Sequence, residues 1–384
     1  MTTPRPTYRV ERVAPADGRD DLLRLWSDNL HVEGGVEAKF DWLYRDAPLV
    51  PDDVFFLRTG DGAVVGTAGV GLRRFQLGAG SGSSGGGDPA RDAIAGLLAD
   101  LAVDKAHRSV GPALALVREV KAFALGRHEL AYGFPNALAE GVFKRVGYHP
   151  LGNITRWARV LRHADYAGRV RELELSRVPP AARELLYRAA EQPWFATLAG
   201  AAVDLAQLAR RSPAALEAAR RLRVEARPAL DGGGIDALWA RARVEYGVVA
   251  HRTASVLSWR FPTAATRTWY GGHARGPGGL RAYAVVERSD DGSAHIRDLF
   301  GHRPDVLALL ELLPALLYRT GATSLSMRYL GAPWLSEALA ARGFSTRQAR
   351  RLIVVGTSET LPPETAALVR TPDAWHLTDF DEDA

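Results

Sequence analysis

LADLAVDKAHRSVGPALALVREVK, residues 98–121, is the stretch whose reading decides the fold. The alternation of Leu97, Ala99, Leu101 and Val103 predicts a strand; a short charged turn follows, and an amphipathic helix starts at Gly111 and Pro112. Between strand and helix, Arg108-Ser109-Val110-Gly111-Pro112-Ala113 forms an R-x-x-G-x-A turn whose small residues let a ligand approach the backbone. The first amides of a helix have no internal partners and sit at the positive end of the macrodipole, so this turn suits a pyrophosphate. Proline fits the first turn, because the N–H it lacks would have had no partner there.

Downstream, AYGFPNALAEGVFKRVGYHPLG, residues 131–152, reads as the end of a strand at Tyr132. Asn136 then opens a helix with Ala139 and Phe143 on its inner face, and Gly147-Tyr148 follows. Taken together, the two segments resemble the acyl-CoA-binding half of the GCN5-related N-acetyltransferase (GNAT) superfamily, with Arg108, Gly111 and Ala113 at the defining loop positions. The resemblance implies that the strand carrying the loop and the next strand splay apart and that the pantetheine arm of acetyl-CoA, or of another acyl-CoA, enters the gap. It further implies that Arg108, Ser109, Val110, Gly111, Pro112 and Ala113 hold the pyrophosphate. Backbone N–H groups from Leu101 to Val103 would polarise the thioester carbonyl, and Asn136 and Phe143 would border the cofactor.

At 384 residues the chain is long enough for two domains, and 47% hydrophobic with 24% charged residues describes a globular protein with a sizeable core. The absence of cysteine excludes disulfides, zinc–thiolate sites, iron–sulfur clusters and thiol nucleophiles. The N-terminal residues form no apolar signal core, and no run approaches the ~18 apolar residues of a membrane span, so a cytoplasmic protein is expected. The net charge of +5 comes from arginine in an Ala- and Gly-rich chain, with lysine at 39, 105, 121 and 144 alone. The arginines at 210, 211, 220, 221, 223 and 227 read as the solvated face of a helix, so a nucleic-acid partner is not expected. Oligomeric state is left open.

In chain order, the patterns predict a strand over residues 7–14, helices over 20–30 and 36–46, and a hairpin with strands 54–58 and 63–77. Residues 78–92 are Gly/Ser-rich and read as a flexible connection. After the cofactor strand, loop and helix, residues 148–162 read as the strand that completes the first sheet. Residues 164–230 read as a helical linker, with helices at 181–191, 194–208 and 212–224. The last third repeats the first: residues 235–247 resemble 21–35, and Trp259 in its helix echoes Trp42. Strands at 266–271, 280–288 and 294–300, a helix at 304–320, a strand at 324–329 and a helix at 333–342 follow. The fold class is therefore α/β. It is read as two GNAT-like units, 1–163 and 231–384, each a mixed, mostly antiparallel twisted sheet flanked by helices, joined by the helical linker. Phe300-Gly301-His302-Arg303-Pro304 is no R-x-x-G-x-A loop, so one cofactor site is expected, in the N-terminal unit.

Acyl transfer to an amine needs a neutral amine, a polarised carbonyl and a protonated or stabilised thiolate. Asp100 on the cofactor strand and Glu140 on the following helix are candidate bases; Asp104 and His107 in the turn are weaker ones. Many members of the resembled family carry a tyrosine where this chain has Phe143, which has no proton to give, so Tyr132, Tyr148 or a water would take its place, unless the site holds something other than a reactive acyl-CoA; Tyr132 is the first candidate. Tyr148 reads as a core aromatic. Trp42 and Trp259 read as core anchors of equivalent helices. Residues 375–383, rich in acids, read as a solvated tail, and no His and carboxylate spacing makes a metal site.

The reading that follows is an acyl-CoA-dependent N-acyltransferase acting on a small amine-bearing acceptor, such as an amino sugar or a biosynthetic intermediate. One alternative is an aminoacyl-tRNA-dependent transferase resembling the Fem family, which would use the basic helical region and need no intact pyrophosphate loop. Another is a non-catalytic acyl-CoA-binding protein, which Phe143 would favour.

Overall fold

The computed structural model describes residues 7–32, 34–78, 90–163, 165 and 213–382. Most of the Gly/Ser-rich connection and the helices expected at 181–191 and 194–208 lie outside the described residues. The first half runs β1 (Tyr8–Val13), α1 (Arg19–Asn29), α2 (Val36–Tyr44), β2 (Val54–Thr59), β3 (Val64–Leu77), β4 (Arg91–Val103), α3 (Val110–Arg127), β5 (Leu130–Gly133), α4 (Glu140–Arg145) and β6 (His149–Val160). The second half opens with α5 (Pro213–Arg221), β7 (Leu222–Arg227), α6 (Gly232–Ala242), β8 (Val248–Ala250) and α7 (Ala254–Arg260). It continues through β9 (Arg267–Ala274), β10 (Leu280–Arg288), β11 (Ala294–Gly301), α8 (Arg303–Arg319), β12 (Ser324–Gly331) and α9 (Pro333–Ala341). The chain closes with β13 (Ser345–Thr357), α10 (Pro363–Val369) and β14 (His376–Leu377).

All the strands join one sheet, in the order β1-β2-β3-β4-β5-β13-β6-β12-β11-β10-β9-β7, with β8 against β3 and β14 against β12. Pairing is antiparallel except at β4–β5 and β11–β12. The central order departs from expectation. β6 does not close the first sheet against β5; β13, from the far end of the chain, lies between them, and β6 in turn lies between β13 and β12. Strands from the two ends of the chain thus interleave at the centre of the sheet.

Residues 222–227 also depart from the expected helix, because Leu222, Val224 and Ala226 alternate with Arg223, Glu225 and Arg227, and a period of two makes an edge strand. Of the six arginines expected on a solvated helix face, those at 210 and 211 lie outside the described residues, Arg220 and Arg221 are exposed at the end of α5, with Arg221 paired to Asp305, and Arg223 and Arg227 are exposed on β7, where they flank Glu225.

The same alternation divides the core between the two faces of the sheet. Leu98, Ala131, Leu352 and Val354 pack with Leu116, Val117 and Val120 of α3. Their neighbours Leu97, Tyr132, Ile353 and Val355 point the other way, into a cluster with Trp239, Phe300 and Trp375 of the second half. Trp42 and Trp259 stack with ring centroids 4.4 Å apart and planes 5° apart, and each indole N–H donates to the other residue's carbonyl. They are half-buried and bind the two halves to each other rather than anchoring separate cores.

Candidate active site

The site begins where β4 and β5 part. Their parallel pairing ends at Leu98 opposite Gly133, while β4 runs on to Val103. Along its other edge, Gly69 faces Ala99 and Thr67 faces Ala102, so Asp100 and Leu101 together oppose Ala68. That is a β-bulge, and Asp100 takes the strained φ of 58° there, which a non-glycine residue holds only when its surroundings impose it. A cavity of about 240 Å³ occupies the gap, lined among others by Leu98, Asp100, Leu101, Val117, Asn136 and Phe143.

Residues from three other elements complete the wall. His31 follows α1, Lys39 lies on α2, and Arg351 comes from β13. Lys39 Nζ is 2.7 Å from Asp100 Oδ1, and both side chains are largely buried. Arg351 pairs with Glu382 at 2.6 Å and sits over the Phe134 ring. Beside Asp100, burial first and the Asp100 charge second push the Tyr44 hydroxyl pKa well up, so it stays a phenol.

At the mouth, α3 starts after Ser109, whose side chain makes no capping bond to the first turn. A Cβ built on Gly111 meets no atom within 4 Å, so the space beside the first turn of α3 at Gly111 is open. Arg108 is folded back: its Nε donates to the Val103 carbonyl and its Nη2 to Asn29 Oδ1, while Asn29 Nδ2 donates to Asp104. These bonds tie the loop to the end of α1. His107 is held by the Tyr8 hydroxyl at 2.9 Å.

The corresponding gap in the second half is filled by the chain itself. β11 and β12 stop pairing after Ile296 opposite Met327, and β14 pairs with Leu330 and Gly331 beyond that point. His376 Nε2 donates to the Leu299 carbonyl, and Thr378 donates to Asp298. Gly331 is required by this fit, since a Cβ there would overlap the Trp375 carbonyl. The described part of the acidic tail, up to Glu382, is therefore buried rather than solvated, and its acids are paired. Asp381 meets Arg252, Asp379 meets His295 and Arg297, and Glu382 meets Arg328 and Arg351.

No family model matches the sequence, and no curated protein matches it. Solved structures do. A GCN5-related N-acetyltransferase from Kribbella flavida is 13% identical with a TM-score of 0.54, over 92% of this chain and 71% of that one. One from Anabaena variabilis ATCC 29413 is 12% identical with a TM-score of 0.58, over 90% and 72%. A conserved protein of unknown function from Enterococcus faecalis V583 is 11% identical with a TM-score of 0.58, over 91% and 72%. The fold is that of the GCN5-related N-acetyltransferases.

Within that GNAT fold the expected residues are distributed unevenly. Asp100, Leu101, Asn136 and Phe143 meet in the cavity. Asn136 Oδ1 also accepts from the Leu138 and Ala139 amides, so it caps the turn entering α4. Ser109, Val110, Gly111, Pro112 and Ala113 form the start of α3, with Gly111 exposed and Pro112 buried. Val103 is buried in the core beneath α3 and does not line the cavity. Tyr132 lies apart, because strand alternation turns it to the opposite face, where its hydroxyl donates to the Asp381 carbonyl at 3.2 Å. Glu140 faces Lys144 at the surface. Tyr148 packs on Phe143, and burial pushes its pKa well up.

Sequence reasoning missed Lys39, His31 and Arg351. The one available signal was that Lys39 is a rare lysine in an arginine-rich chain.

Proposed function

We propose that the protein is an acyl-CoA-dependent N-acyltransferase acting on a small amine, with acetyl-CoA as the default donor. The observation that carries this reading is the conjunction, at one gap in the sheet, of a helix start with open space at Gly111 and a cavity lined by a buried carboxylate. The first-turn amides of α3 would hold the pyrophosphate, with Arg108 positioning the loop through Asn29 rather than reaching the phosphates. When bound, the cofactor supplies an activated acyl group as a thioester.

The chain's own groups account for the rest. Asp100 is the base that accepts the acceptor's ammonium proton, with Lys39 Nζ 2.7 Å from its Oδ1. The bulge at Asp100 and Leu101 directs backbone N–H groups out of the ladder, where they can serve an acyl oxygen. Phe143 closes the floor with an apolar ring. A thiolate whose conjugate acid has a pKa of about 8.5 is a far weaker base than an alkyl amine, so its departure needs no protein acid. We also read the chain as two repeated units that exchange β6 and β13, the first carrying the site and the second, with β7 at its start, shaping it through β13.

The cavity at the β4–β5 gap, with the R-x-x-G-x-A turn at its mouth, supports the acyl-CoA reading over a tRNA-dependent transferase, which needs no such loop. The test is calorimetric titration with acetyl-CoA and with CoA, on wild type and Gly111→Asp. Micromolar binding is expected for wild type and none for the variant, whose aspartate puts a like charge at the phosphate site without a clash in the fold. Absence of binding to wild type would sink the reading.

A further inference from the structure

We propose that Lys39 is a self-acylation site. The inference rests on the acyltransferase reading above, because it needs an acyl thioester delivered to the β4–β5 gap. Lys39 lines that cavity, its side chain is 15% exposed, and its Nζ lies 2.7 Å from a carboxylate that is 3% exposed. A buried ion pair loses hydration on both sides. Moving the proton from the ammonium to Asp100 therefore costs less than it would in water, and the neutral amine becomes accessible. The Trp26 ring, 5.6 Å from Nζ, favours the cation, so the reaction is slow and speeds up as pH rises.

The step balances without a further reagent. Lys39 Nζ gives one proton to Asp100 and attacks the thioester carbonyl carbon; a C–N bond forms, the C–S bond breaks, and the amine's second proton goes to the departing thiolate. Asp100 then releases its proton to solvent. The product is an amide at Lys39 and free CoA thiol. Losing the cation leaves Asp100 buried beside a neutral amide, so the modified protein holds its base in a changed electrostatic setting.

The remaining lysines supply internal controls. Lys121 Nζ donates to the Val146 and Gly147 carbonyls, Lys144 faces Glu140 at the surface, and Lys105 is exposed after β4. None of the three lines the cavity. The experiment incubates the full chain with acetyl-CoA, folded and in urea, and quantifies acetylation at each lysine by peptide mass spectrometry, with calorimetric binding measured on the same sample. The expected result is Lys39 acetylation in more than roughly tenfold excess over every other lysine, lost in urea and slowed in Asp100→Asn. Binding of acetyl-CoA without that excess overturns the inference and leaves the acyltransferase reading standing. Absence of binding overturns both.

Discussion

His376 and Asp381 sit close together in the buried C-terminal segment, and burial moves their pKa values in opposite directions. Burial, helped by the Arg252 charge, lowers His376 from 6.5 to about 3; burial raises Asp381 from 3.8 to about 6 against the pull of Arg252. Between pH 6.5 and 3 the unfolded chain binds a proton at His376 that the folded chain refuses, so this residue costs stability as pH falls, at about 1.4 kcal/mol per unit. Asp381 has the reverse sign. Its folded form takes up a proton first, so its contribution is fully present below pH 3.8 and lost as pH rises through 6. The two offset each other between pH 6 and 4. Relative to wild type, Asp381→Asn should lose stability as pH falls from about 6 to 3.8, and His376→Gln should gain it from pH 6.5 downward, as urea midpoints across that range would report. Parallel curves for all three proteins would refute the assignment. Neither residue was legible in the sequence as buried, since an acid-rich terminus has no periodicity and its cations lie after β8 and on β11, β12 and β13. Asp100 and Leu101 were legible, because strand alternation and the loop after them fix their place; Lys39 and Arg351 reach the same cavity from elements that only the assembled sheet brings near.

Two elements carry the relation between the halves. The segment around β14 fills the β11–β12 gap with chain that is hydrogen-bonded to β11 and β12 on both sides, so that gap has no room for a pantetheine arm. A titration with CoA is therefore expected to saturate at one equivalent per chain, and a second equivalent would show that the segment yields. The Trp42–Trp259 pair was visible in the sequence as an echo between two helices, but the echo could not say that the two rings meet. Stacking plus reciprocal indole bonds predicts coupling: the Trp42→Ala/Trp259→Ala double variant should be less destabilised than the sum of the singles by about 1 kcal/mol or more. Additive losses in urea unfolding would show that each ring acts only through its own half.

At the scale of the whole molecule, β13 between β5 and β6 decides how the chain can fold. Elements up to Val160 were legible as local patterns, because period-two and period-3.6 signals belong to single segments. The exchange was not, because β13 carries a continuous apolar run, Leu352 to Val355, whose pattern names no partner, and nothing in β6 specifies which strand lies beside it. The consequence is physical: without β13, β5 exposes an unpaired edge over the residues from Leu130 to Gly133, and the face of Ile154 and Leu151 loses Ile353 and Val355. A fragment of residues 1–163 is therefore expected to aggregate or dimerise through its open edges, whereas co-expression with 213–384 should restore a soluble complex. The intact chain should unfold in one step, with tryptophan fluorescence and far-ultraviolet dichroism coinciding across urea, since neither half can keep its sheet when the other is lost. A monomeric 1–163 fragment with a dispersed amide spectrum would show that the exchanged strand is dispensable, and the halves would then be independent units joined by a shared edge.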